Sequence, residues 1–181
     1  HLGECELASA NVVRSISMLF FVIVNSFATT NISLVSNLIG AKKSEQVMQT
    51  CRRVINLDYA IGVPLIILAF IFSDSLLGLF TNDTAVIQTA FYPFCVMLST
   101  FIISVPAYTY CNTVIGTGNT KIAFLFQMTN IAIYLLYLFM LSRSPNIPLA
   151  VYWTAEQLYV LVLLVLSLAY LRRNKWQSKV L

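Results

Sequence analysis

Residues 85–114 read AVIQTAFYPFCVMLSTFIISVPAYTYCNTV, an apolar run without Asp or Glu. A helix needs about 20 predominantly apolar residues to cross the hydrocarbon core of a bilayer. This stretch exceeds that length, and comparable stretches recur on both sides of it. Upstream lie residues 7–39 and, after an amphipathic lead-in, 47–72; downstream lie 122–141 and 148–171. In lipid, backbone N–H and C=O groups must be bonded within the protein, so segments of this kind span as helices. The reading is an all-α, polytopic transmembrane helical bundle with five spanning helices and no soluble domain.

Composition agrees. Hydrophobic residues make up 59% of the chain and charged residues 10%, and mean hydropathy is +0.81. A soluble domain carries about 25% charged residues. The net charge of +4 sits in short basic clusters beside the spans, a membrane pattern and not a nucleic-acid-binding one. Cys5, Cys51, Cys95 and Cys111 show no paired spacing and read as small hydrophobes in or beside apolar segments. His1 is the only histidine, so no His-based metal or catalytic constellation can be built. The opening HLGECEL reads as a loop entering a helix and shows no signal-peptide pattern. The chain is therefore expected to be part of a longer protein with further helices upstream.

The loops are short and rich in turn residues. Gly40-Ala41-Lys42-Lys43-Ser44 offers Ser44 as an N-cap for the second helix. Asn82-Asp83-Thr84 is a second capping signal, and Gly116-Thr117-Gly118-Asn119-Thr120 is a tight turn; Ser142 to Pro148 forms the last loop. Lys42, Lys43, Arg52, Arg53, Lys121, Arg172, Arg173, Lys175 and Lys179 fall on one side of such a bundle. Arg143, Glu4, Glu6, Asp74 and Asp83 fall on the other. The positive-inside bias makes the tail cytoplasmic and puts His1 outside.

Several polar residues lie within the spans. Arg14, Asn25 and Ser36 recur every 11 residues, about three turns, and share a face that Thr29 and Ser33 extend. That face either lines a cavity or packs against other helices through small and polar groups. Gln127, Asn130, Tyr134 and Tyr137 share a face of the fourth helix. Amides and aromatic rings together suit an amphipathic cation, though bundle packing would use them equally well. Asn25, Thr29, Gln127, Asn130 and Tyr134 are expected to line one polar cleft. Glu156 lies roughly 12 Å into the fifth span and Arg14 roughly 10 Å into the first, from the same outer side, at 1.5 Å per residue. An ionisable group in a span is a functional candidate by default, and leaving it isolated costs at least about 2.5 kcal/mol. The two are expected either to pair or to leave Glu156 as the ion site. Asp58 lies about a turn past Arg53, near the cytoplasmic end, and either reaches the interface or is a functional group within the span. Pro64, Pro93 and Pro106 mark kinks or hinges.

The run NISLVSNLIGAKKSEQ, residues 31–46, resembles the segment that ends the second helix of each lobe in multidrug and toxic compound extrusion (MATE) transporters. LASANVVRSISMLF, residues 7–20, is similar to the start of that helix. LLGLFTND (76–83) resembles the family's outer loop, and TVIGTGNTK (113–121) its GxGxT turn after the fourth helix of a lobe. The motifs stand in the family's order and cover nearly the whole chain. The resemblance implies two six-helix lobes, with residues 1–181 as a partial C-terminal lobe, helices eight to twelve. It implies a missing N-terminal lobe of the same polypeptide as partner. It also implies export of amphipathic cations by alternating access, driven by sodium or proton entry. One branch of the family carries a cation-binding aspartate on its tenth helix. The matching stretch here, residues 85–114, has no acid, so that site is not carried over.

The function expected is an ion-coupled (Na+ or H+) antiporter that exports small, amphipathic, cationic organic compounds. The alternatives are a lipid-linked oligosaccharide flippase of the same superfamily and a non-transporting structural subunit. A flippase cavity would need more cationic residues for its pyrophosphate head. An intramembrane enzyme would need paired acids, a metal site or a nucleophile within reach of a base. Site candidates are Arg14, Asn25, Thr29, Gln127, Asn130, Tyr134 and Glu156. No cofactor beyond the coupling ion is expected. The expected partners are the lipid bilayer and a drug-like small molecule, and not nucleic acid. The expected location is a bacterial inner membrane.

Overall fold

A computed structural model describes residues 3–143 and 147–173. Six α-helices follow in order: α1 (Glu4–Gly40), α2 (Val47–Ile71), α3 (Ser73–Gly78), α4 (Thr84–Gly116), α5 (Thr120–Ser142) and α6 (Leu149–Arg172). All but the short α3 are long and apolar enough to cross a membrane, which gives five candidate spans among the described residues. No strand occurs among them. The spans expected from hydropathy are all present: α1, α4 and α5 run one to three residues past their apolar stretches, and α2 and α6 match theirs to within a residue.

α4 is the centre of the bundle. It packs along α1 on one side and α6 on the other, and α5 packs mainly on α6, with α2 set against α1 and α4. Its buried positions are the most numerous of any helix and include Phe94, Met97, Leu98 and Val105. By contrast α5 buries only Ala123 and Asn130. Its outer face presents Phe124, Leu125, Leu135, Leu136 and Phe139. A face this apolar suits contact with lipid.

Of the two N-caps that the sequence offers, one forms and one does not. Asp83 caps α4 as expected, its carboxylate accepting from the Ala85 amide at 2.9 Å. Ser44 does not cap α2. A single 3-10 turn, Ser44–Gln46, comes first, and α2 starts at Val47 with no side-chain cap. Lys42 takes a positive φ of 58° in the tight reversal before that turn. In the next turn Gly118 takes φ 82°, a value that glycine adopts without strain.

Gly116 has a different role. A Cβ there would stand 2.8 Å from the Val35 Cβ and 3.0 Å from the Ile32 carbonyl oxygen. Its missing side chain lets the end of α4 close on α1, and the Ser36 hydroxyl donates to the Gly116 carbonyl at 3.1 Å. One turn inward, the Asn31 amide donates to Thr113 Oγ1 at 2.8 Å and to the Thr109 carbonyl at 3.2 Å. Cys51 Sγ meets Thr113 Oγ1 at 2.9 Å. Buried Val35, Val47, Val114, Ala123 and Leu171 surround this junction. The Gly40 turn, the Gly116 turn and the end of α6 therefore share one end of the bundle. Lys42, Lys43, Arg52, Arg53, Lys121, Arg172 and Arg173 belong to that end; His1, Lys175 and Lys179 lie outside the described residues.

Pro64, Pro93 and Pro106 sit inside α2 and α4, and the helices run on through them. All four cysteines are free thiols.

Candidate functional site

Towards the other end of the bundle the helices part. A cavity of about 660 Å³ opens between α1, α4, α5 and α6. Such a volume falls in the range of small-molecule sites, about 300–1,000 Å³. α1 contributes Arg14, Ser17 and Phe21; α4 contributes Thr100, Phe101 and Tyr108; α5 contributes Tyr134; α6 contributes Tyr152, Trp153 and Glu156. Arg14 and Glu156 are the only charged residues on this wall among the described residues.

The Tyr134 hydroxyl donates to Glu156 Oε1 at 3.3 Å, which joins α5 to α6 at the cavity. The Tyr134 ring stands edge-on to Tyr159 with centroids 6.0 Å apart. The Tyr159 hydroxyl donates to Gln127 Oε1 at 2.6 Å, and the Gln127 amide reaches Cys111 Sγ at 3.8 Å. Two hydrogen-bonded groups, Glu156 with Tyr134 and Tyr159 with Gln127, thus meet through the edge-on tyrosine rings at the α4–α5–α6 interface. On the opposite wall Phe21 meets Tyr108 edge-on at 5.5 Å.

The seven residues singled out from sequence divide into three groups. Arg14, Tyr134 and Glu156 line the cavity together. Gln127 and Asn130 share the α5 face with Tyr134 but lie beneath the cavity. Gln127 bonds as described, and Asn130 is wholly buried against Tyr159. Asn25 and Thr29 are exposed on α1, past Phe21. The Thr29 hydroxyl is taken up by its own helix, donating to the Asn25 carbonyl at 2.7 Å. The five residues expected to share one cleft, Asn25, Thr29, Gln127, Asn130 and Tyr134, do not line one cavity: only Tyr134 does, Gln127 and Asn130 lie beneath it, and Asn25 and Thr29 lie about three to four turns along α1 from Arg14.

The direct Arg14–Glu156 pair is also absent. No ion pair within 4.0 Å forms among the described residues. Both charges face the same cavity, and Glu156 takes the Tyr134 hydroxyl instead. At the site, then, a carboxylate with a tyrosine donor faces a cavity whose wall includes six aromatic rings among aliphatic and hydroxyl side chains. Carboxylate and π faces both attract an organic cation, and the rings shield its apolar body from water.

Sequence reasoning misplaced Asp58. It is wholly buried and does not reach the interface. The signal was available: Cys51, Val54, Ile55 and Asp58 form one buried face of α2. Tyr108, Tyr152 and Trp153 were also passed over as cavity residues, since their aromatic character alone does not separate a cavity wall from a packed core.

The MatE family model matches residues 1–140 of the chain. Neither a curated protein nor a solved structure matches it. Members of this family are transporters and not enzymes. With five helices able to span a bilayer, the chain is a multi-pass membrane protein that belongs to the MatE family of membrane transporters.

Proposed function

We propose that the chain forms the C-terminal lobe of an ion-coupled antiporter that exports small amphipathic organic cations by alternating access. The coupling ion is Na+ or H+, and no other cofactor takes part. The observation that carries this reading is Glu156, held by Tyr134 on the wall of an open cavity lined by Phe21, Tyr108, Tyr152 and Trp153. In a low-dielectric site a carboxylate attracts a cation far more strongly than it does in water. Flat aromatic walls accept varied apolar bodies, which suits a broad substrate range. Arg14 is the one cationic residue on the wall among those described, too few for a pyrophosphate head. In this reading the N-terminal lobe of the same polypeptide closes the open side of the cavity, and lipid covers the apolar outer faces. The basic end of the bundle faces the cytoplasm of a bacterial inner membrane.

The test is efflux of ethidium from cells that express the intact transporter, with a protonophore and a sodium ionophore added separately. The expected result is that one of the two abolishes efflux, and that Glu156→Gln lowers the rate about tenfold or more with expression intact. Efflux indifferent to both ionophores, or a Glu156→Gln rate equal to wild type, contradicts the reading.

A further inference from the structure

The cavity does not use the other carboxylate within the spans. Asp58 is 0% exposed, and neither of its oxygens has a hydrogen-bond partner. Counting from Val47, it lies roughly 16 Å along α2 at 1.5 Å per residue, near the middle of the helix. Its carboxylate lines a void of about 10 Å³ between α1, α2 and α4. Phe20 and Val24 from α1, Ile66 from α2, and Phe101 and Val105 from α4 form most of the wall. The one other titratable lining group is Tyr59, whose hydroxyl is already committed, donating to the Ile102 carbonyl at 2.6 Å. α1 and α4 bring no titratable or charged side chain to this void.

An ionised carboxylate without a partner costs several kcal/mol in such surroundings, and in practice the group neutralises instead. The void decides what can neutralise it. A metal cation needs several oxygen ligands, whereas this void offers one carboxylate in a space at the threshold for a single water, about 10–15 Å³. A proton needs neither ligands nor room.

We propose that Asp58 is a proton-binding site and that its protonation drives the transport cycle, so that the coupling ion is H+. This rests on the antiporter reading above. The proton is taken from bulk water on the outer side and returned to bulk water on the inner side. Nothing else is consumed. Exchange with water requires the void to open, and α2 is built for that beside Asp58. Gly62 lies one turn on, where even a Cβ would stand 4.0 Å from Asp58 Oδ1. Pro64 lies inside α2 and removes the hydrogen bond to the carbonyl four residues earlier. Beyond Asp58 only Ala69 of α2 is buried. The outer half of α2 therefore has few packed contacts to break as it moves off α1 and α4. Protonated Asp58 is stable in the closed void, and the ionised form requires it open.

The test uses the intact transporter. In lipid nanodiscs, infrared difference spectra between acid and alkaline buffer should show a carboxylic-acid C=O band that titrates. The band should vanish in Asp58→Asn and persist in Glu156→Gln. In proteoliposomes, export of tetraphenylphosphonium driven by a pH gradient should fall about tenfold or more in Asp58→Asn. Exchange of labelled for unlabelled cation at equal pH should stay within about twofold of wild type. A wild-type spectrum with no titrating carboxylic-acid band overturns the site without recourse to any variant. So does a band unchanged in Asp58→Asn. Wild-type export driven by a sodium gradient alone overturns the proton assignment and leaves the antiporter standing. No export under either gradient overturns the antiporter reading and with it the coupling role.

Discussion

The Tyr134 hydroxyl donates to the Glu156 carboxylate at 3.3 Å, tying α5 to α6 at the wall of the cavity. A hydrogen bond to a charged group is worth about 1.5–3 kcal/mol where it is buried, and less here, because Glu156 is open to the cavity. Tyr134→Phe keeps the ring and removes the donor. Binding of tetraphenylphosphonium is expected to weaken by about two- to tenfold, with at most a small fall in melting temperature, since the bond is open to the cavity. A drop in melting temperature with unchanged affinity would make the bond purely structural.

Arg14 and Glu156 face one cavity without an ion pair. Neutralising each separately and both together, as Arg14→Gln and Glu156→Gln, is expected to give nearly additive changes in stability. The coupling should stay below about 1 kcal/mol, as for exposed charge pairs. A double variant clearly more stable than the single ones would show a pair that the geometry does not.

Gly116 closes the basic end of the bundle. Gly116→Ala would force a Cβ to within 2.8 Å of the Val35 Cβ and 3.0 Å of the Ile32 carbonyl oxygen. Overpacking of this kind costs about 1–3 kcal/mol. Val35→Ala in the same protein should not restore stability, because the Val35 Cβ and the Ile32 backbone both remain. Thermal melts in detergent check both outcomes. A Gly116→Ala protein as stable as wild type would mean that α1 and α4 do not meet this closely.

The Gly40 turn and the short helix α3, which carries Asp74, belong to opposite ends of the bundle. In a protein freed of Cys5, Cys51, Cys95 and Cys111, cysteines placed at Lys42 and Asp74 should label from opposite faces of the membrane. Lys42 should label from the cytoplasm. Labelling of both from one face would contradict the topology.

The spans were legible because length and apolarity in lipid leave little choice but helix, as residues 85–114 show. The Asp83 cap was legible because its hydrogen bond is local. The cavity was legible only in part. Helical periodicity says which residues of α5 share a face, so Gln127, Asn130 and Tyr134 were grouped correctly. It does not say which helix that face meets. α1 meets α5 across the cavity at the depth of Arg14, and Asn25 and Thr29 lie about three to four turns further along α1, away from the α5 group. Arg14 and Glu156 were matched in depth, and depth brought them to one cavity, but contact depends on the lateral gap that forms the cavity itself. Asp58 was misread because Arg52 and Arg53 suggested an interface. Its own helical face, Cys51, Val54 and Ile55, is the one turned inward.

The account rests on Glu156 as the group that receives the cationic substrate. The most direct test is equilibrium binding of tetraphenylphosphonium to the purified intact transporter, wild type against Glu156→Gln, with a neutral analogue of similar size as control. The expected result is a loss of about tenfold or more in affinity for the cation in the variant, with the neutral analogue unaffected. Equal affinity of both proteins for the cation would contradict it.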